Sequence, residues 1–154
     1  MANYLQPHFT LQELTATDTG LDNTVTLGSH KYATLKAMAI ILENVRGILG
    51  RPIFINSCYR SPEVNKAVGG ARTSYHLTGS AVDIRTYHYS DSELSTLESA
   101  LRSYYPCEFI KYDTFWHVAF DISRLGTDSG VVTTWNQECP ESCDPINTTV
   151  NSDL

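Results

Sequence analysis

The sequence contains no apolar run approaching the ~20 residues that a membrane-spanning helix requires, so no membrane association is expected. Basic residues are scarce, with 11 Lys and Arg against 17 Asp and Glu, for a formal net charge of −6. A protein that follows a phosphate backbone carries the opposite sign, which argues against nucleic acid and against an anionic membrane surface as partners. Cysteine is sparse as well. Four among 154 residues are too few for a disulfide scaffold. Cys58 and Cys107 sit in apolar runs, as buried free thiols do. Cys139-Pro-Glu-Ser-Cys143 leaves a small disulfide or a metal site open, but lacks the second pair of a zinc knuckle. The opening Met1 to Thr10 shows neither a basic nor an apolar leader region, so no signal peptide is expected. No internal repeat is present.

What remains is an ordinary globular composition, 42% hydrophobic and 18% charged, sized for a single core. The expected domain is 1–125, followed by an acidic, loosely ordered tail over 126–154. That tail has no Lys or Arg and many Ser, Thr and Asn, with a weak glycosylation sequon at Asn147.

Phe9-Thr-Leu-Gln-Glu-Leu14 reads as a short helix with Thr10 as N-cap and Glu13 at the third helical position. Ser29 caps an amphipathic helix over 31–49, in which Leu35, Met38, Leu42, Val45 and Leu49 recur at spacings of three and four. Ile53-Phe-Ile55 reads as a short buried strand. Ser61-Pro62-Glu63 opens a short helix that Gly69-Gly70 ends. Further elements are a strand over 80–84, a helix over 91–104, and strands over 109–112 and 115–122 with a tight turn at Asp113-Thr114. Helices first and strands later predict an α+β domain with a mainly antiparallel central sheet flanked by helices.

The chemistry concentrates in Ser74-Tyr-His76-Leu-Thr-Gly79-Ser-Ala81-Val-Asp83. A return through Gly79 brings the imidazole and the carboxylate to one point, and a second imidazole arrives from the apolar strand Phe115-Trp-His117. Two neutral imidazoles and one carboxylate make a three-ligand zinc site with an open fourth position. Spacing alone leaves the alternative of a satisfied, buried His–Asp hydrogen bond. Cys58 beside Arg60 raises a nucleophilic cysteine as a weaker third reading. His8, His30 and His88 lie outside every motif.

The segment Ser74-x-His76-x-x-Gly79-x-Ala81-x-Asp83 resembles the signature of the zinc D-Ala-D-Ala carboxypeptidase family. That family includes the peptidoglycan L-Ala-D-Glu endopeptidases of phage endolysins, and its fold is shared with the hedgehog signalling domain. Ser57-Cys-Tyr59-Arg60-Ser61-Pro-Glu-Val-Asn65 resembles the family's Ser-Gly-Tyr-Arg-Ser segment, Gly69-Gly70-Ala71 leads into the signature as in relatives, and Phe9 to Leu14 resembles the start of the small phage and bacterial members.

The resemblance implies one Zn2+ per chain on His76, Asp83 and His117, with the zinc at the sheet. Such an ion lowers the pKa of its water from 15.7 to about 7. Arg60 would contact substrate near the reacting group, its planar fork suiting a carboxylate or an oxyanion, and Ser74 would bind substrate or brace the loop. Better-known members carry an acid or a histidine three residues before the last zinc histidine. Here that position is Thr114, which leaves Asp113 as the first candidate general base and Glu108 as the second. The implied function is hydrolysis of stem-peptide bonds in bacterial peptidoglycan, by a monomer made in the cytoplasm and acting on the cell wall, as a phage endolysin or virion-associated enzyme does. The alternative is a catalytically silent, zinc-stabilised binding domain of the same fold.

Overall fold

The computed structural model describes residues 2–122. The tail over 126–154, the Cys139 and Cys143 pair and the Asn147 sequon lie outside the described residues. The chain forms β1 (Tyr4–Gln6), β2 (Phe9–Thr10), α1 (Leu11–Leu14), α2 (His30–Leu49), β3 (Ile55–Ser57), α3 (Pro62–Ala67), a 3-10 turn (Tyr75–Thr78), β4 (Ala81–Arg85), α4 (Asp91–Arg102), β5 (Glu108–Lys111) and β6 (Phe115–Ala119). Strands β3-β4-β6-β5 make a four-stranded sheet, antiparallel throughout, and β1 and β2 form a separate antiparallel pair. The domain is α+β, as expected. No helix among the described residues is long and apolar enough to cross a membrane.

The helix boundaries follow their caps. Thr10 accepts from Glu13 N, Ser29 from Tyr32 N and Ser61 from Val64 N, each satisfying a donor that a helix start leaves over. Around α4, Ser90 and Glu93 exchange side-chain-to-backbone bonds in a capping box. α2 ends at Gly50, whose φ of 73° suits glycine.

Two differences from the sequence reading are physical. The β1–β2 pair has no signature in the sequence, because strands of three and two residues carry no measurable periodicity. The strand read at 53–55 lies instead at Ile55–Ser57, where Ile55 pairs with Ile84 and Ser57 with Asp83 around an irregularity in register. Ile53 is buried beside the strand rather than in it.

The sheet has two faces of different chemistry. Val82, Ile84, Phe109, Trp116 and Val118 are buried toward the helices, where they join Leu35, Met38, Ile41 and Leu42 of α2 and Leu97 and Leu101 of α4 in one core. Each such side chain stabilises the fold by about 1.5–3 kcal/mol. On the other face the register aligns Ser57, Asp83, His117 and Ile110 in one row across all four strands. Strand alternation thus buries one face and presents two of the expected ligands on the other.

Candidate metal centre and cleft

His76 is carried by the 3-10 turn rather than by the sheet. Ser74 Oγ accepts from His76 N at 3.0 Å, and the turn closes on Gly79, which has φ 81°. A Cβ at Gly79 would stand 2.9 Å from Leu35 Cδ2, so the residue is fixed by conformation and by close approach to α2. The chain then enters β4, and four residues later Asp83 faces back to His76. The glycine return expected from the sequence is therefore present.

His76 Nε2 lies 3.2 Å and His117 Nδ1 2.9 Å from the same oxygen, Asp83 Oδ1. One ligand atom from each of the three residues falls within 4.8 Å of the others. His76 and Asp83 are buried and His117 is half-buried.

The proton positions decide what this cluster can hold. His76 Nδ1 is 2.6 Å from the Cys58 carbonyl, which can only accept, so Nδ1 carries a proton. In neutral His76 the Nε2 lone pair therefore points at a carboxylate. His117 Nε2 lies 2.7 Å from Glu108 Oε1 and donates to it, which leaves Nδ1 for Asp83. With both rings neutral, two imidazole nitrogens and a carboxylate oxygen converge with acceptor character, a donor set that fits a divalent ion.

The electrostatics agree. Burial alone would raise Asp83, but hydrogen bonds from His117 and His76 and their charges hold it at about 2. Burial alone would lower His117, but its bonds to Asp83 and Glu108 push it up to about 9. A positive charge is strongly favoured at this point.

Arg60 packs against the same carboxylate. Its NH2 donates to Asp83 Oδ2 at 3.3 Å, its Nε to Ser57 Oγ at 3.1 Å and its NH1 to Asn65 Oδ1 at 3.2 Å. Its backbone N–H donates to the His76 carbonyl at 2.9 Å. Asn65 is buried and also donates to Ala71 O. Gly70 permits this packing, since a Cβ there would meet Asn65 Oδ1 at 2.0 Å and Arg60 NH1 at 2.9 Å.

These groups line a cleft of about 620 Å³. The structure brings every expected site residue to it: His76, Asp83, His117, Arg60, Ser74, Glu108 and Asp113 all lie on its wall, together with Thr114. Ser74 is engaged in capping the 3-10 turn. Glu108 is engaged with His117. Asp113 is exposed on the turn before β6. Tyr112 and Phe115, stacked with ring centroids 4.7 Å apart, form an aromatic part of the wall. Burial and the charges of Asp83 and Glu108 raise the Tyr112 phenol, which keeps it a donor.

Three roles carry no signal in the sequence, the last of them for a residue expected instead as a candidate base. Asn65 orders Arg60. Asn23, in the loop before α2, is buried and ties that loop to Thr15 O, Tyr59 O and Ser61 N. Glu108 holds the far nitrogen of His117. A buried asparagine in a polar loop has no sequence signature, whereas Asn65 did sit inside the resembling segment. Cys58 is 1% exposed and burial pushes its thiol up strongly, so the nucleophilic-cysteine reading fails. Of the histidines outside the motifs, His8 pairs with Glu43 at 2.6 Å and His88 packs among Phe54, Tyr87 and Tyr89.

Residues 7–121 match the family described as Peptidase M15. No curated protein is matched.

Proposed function

As this chain belongs to the peptidase M15 family, we propose that it is a zinc metallopeptidase that hydrolyses stem-peptide bonds of bacterial peptidoglycan. The observation that carries the reading is the convergence of His76, Asp83 and His117 within 4.8 Å in the cleft of a peptidase-family chain. These three residues would hold the ion. When bound, zinc supplies Lewis acidity that polarises a carbonyl and acidifies water.

The chain's own residues supply the rest. The Cys58 carbonyl and Glu108 orient the two imidazoles, in the way outer carboxylates and carbonyls orient metal-ligating histidines. Arg60 has five N–H donors, of which side-chain bonds to Ser57, Asn65 and Asp83 use three on a side chain that lines the cleft, which leaves two for a substrate. Those two suit the carbonyl oxygen of a substrate as it gains negative charge. Asp113 takes the proton of the attacking water. Glu108 is the second candidate for that step, but its Oε1 is committed to His117. Ser74 braces the turn that carries His76 and offers the cleft a polar rim.

Purified peptidoglycan incubated with the protein should release peptides, identified by mass spectrometry, and a chelator should abolish release. A second reading, a zinc-stabilised binding domain without turnover, is favoured by Thr114 at the position of the relatives' acid. It predicts retention on peptidoglycan with no released peptide.

A further inference from the structure

Ile110 is the register partner of His117. By strand alternation Glu108 and Tyr112, two residues to either side of Ile110, stand on the same metal-site face. Both are diagonal neighbours of His117, at the ~7–8 Å separation that long and aromatic side chains can bridge. Glu108 crosses one diagonal to reach His117 Nε2 at 2.7 Å. Tyr112 occupies the other and lines the cleft together with Asp83 and His117.

The Tyr112 ring is held in place from two directions. Its backbone N–H donates to the Phe115 carbonyl at 2.9 Å, and its ring stacks on Phe115 with an interplanar angle of 21°. The hydroxyl, by contrast, is unengaged. Buried tyrosines elsewhere use theirs inside the fold: Tyr89 donates to the Pro52 carbonyl, while the Tyr104 and Tyr59 hydroxyls accept from Asn44 and Lys31. The half-buried Tyr112 hydroxyl has no hydrogen-bond partner among the described residues. Burial and the charges of Asp83 and Glu108 keep its proton in place. A fixed O–H donor thus stands on the cleft wall with nothing to donate to in the free protein.

The ligand row separates this donor from Arg60. In the strand order β3-β4-β6-β5, Arg60 follows one outer strand and Tyr112 the other, with Asp83 and His117 on the two strands between. A peptide carbonyl lying over the row is flanked by the guanidinium on one side and the phenol on the other. When water adds to that carbonyl, the new C–O bond forms, the π pair moves onto the carbonyl oxygen and the proton of the water passes to Asp113. The oxygen that gains charge is stabilised most by donors that need no rearrangement. We propose that Tyr112 is a catalytic residue, whose O–H donates to this oxygen from the side opposite Arg60 and keeps its own proton throughout. The inference rests on the peptidase reading above and adds a residue to its machinery.

Tyr112→Phe removes one oxygen and leaves the stack on Phe115. The zinc-loaded full chain, wild type and variant, is given solubilised peptidoglycan fragments. The variant should lose about 100-fold in kcat, the scale for one oxyanion donor, with KM within about twofold, because the bond strengthens only as charge develops. Zinc affinity and melting temperature should match wild type. A peptide phosphinate, with a tetrahedral anionic phosphorus in place of the carbonyl that wild type attacks, should bind the variant more weakly by the same factor in calorimetry. A residue that only shapes the wall would not produce that loss. An unchanged kcat or an unchanged phosphinate affinity overturns the inference and leaves the peptidase reading standing. So does a raised KM at unchanged kcat, which would make the phenol a contact of the bound substrate alone. Failure of the zinc-loaded wild type to release any peptide overturns both.

Discussion

The carbonyl oxygen of Cys58 stands 2.6 Å from His76 Nδ1, and two residues on, Arg60 N–H returns a bond to the His76 carbonyl at 2.9 Å. The backbone on either side of Tyr59 therefore fixes both the ring and the main chain of His76. Neither bond depends on the side chain at position 58, which explains how a cysteine is accommodated there while the ligand stays in place.

The donor set gives the first expectation. Asp83 Oδ1 faces both imidazoles and Oδ2 faces Arg60. Asp83→Asn should lower bound zinc by about tenfold or more, since a ligand anion is lost. It should also lower the melting temperature, because the mostly buried Arg60 loses its counter-charge. Elemental analysis and thermal unfolding of the same preparation check both. Normal zinc content in Asp83→Asn would remove Asp83 from the ligand set.

Protons and metal compete for His117. Its pKa is pushed up to about 9, so in chelator-stripped protein it carries a proton at neutral pH, while Asp83, at about 2, is already ionised. Zinc must displace the His117 proton. Affinity should therefore climb by about tenfold per pH unit up to roughly pH 9 and level off above it. Calorimetric titration at pH 7 in two buffers of different ionisation enthalpy should show at least one proton released per zinc. Uptake without proton release would mean that His117 does not ligate through Nδ1.

Glu108 reaches the opposite nitrogen of that ring. Glu108→Ala should weaken zinc binding by about 10- to 100-fold, the scale for losing an outer partner of a metal-ligating histidine. Glu108→Gln, which can still accept from Nε2, should recover much of the loss. Competition with a chromophoric chelator measures both variants, and equal affinities for Ala and wild type would make the contact incidental.

The site was legible to different depths for physical reasons. The α2 stripe and the Ser and Thr caps follow from rules local to a few residues, so they could be read directly. His76 and Asp83 were readable because one glycine turn joins them. Glu108 is different. Its register partner is Ala119, so it meets His117 diagonally across two strands, and no spacing in the chain announces a diagonal contact. Asn23 reaches across to residues 59 and 61, and such latches exist only once the loop is folded. The irregularity in register between Ile55 and Ser57 likewise shifts β3 away from the most apolar tripeptide.

Gly70 offers a test of the Arg60 clamp that leaves every polar group intact. A methyl at this position would overlap Asn65 Oδ1 at 2.0 Å and displace the side chain that holds both Arg60 NH1 and Ala71 O. Gly70→Ala should cost about 1–3 kcal/mol of stability through overpacking. It should also lower turnover more than zinc content, because Arg60 loses its orientation and the ligands do not. Urea unfolding, zinc analysis and peptide release together check the split. Wild-type stability would show that the 69–71 loop yields easily.

The general base carries the greatest consequence. Thr114 has no group that can take a proton at neutral pH, and the next residue back, Asp113, presents an exposed carboxylate on the cleft wall. If Asp113 takes the proton of the attacking water, Asp113→Asn should keep zinc and fold while lowering kcat by about 100-fold or more, the scale for losing a general base. The low-pH limb of the kcat profile should vanish with it, an effect that a structural role would not produce. Glu108→Gln should then lose little turnover once zinc is saturating, because its part is to hold His117. The reverse pattern, with Glu108→Gln inactive at full zinc occupancy and Asp113→Asn normal, would transfer the proton step to Glu108. Wild-type turnover in both variants would remove both carboxylates from that step and leave orientation by Arg60 and the bound ion as the source of rate.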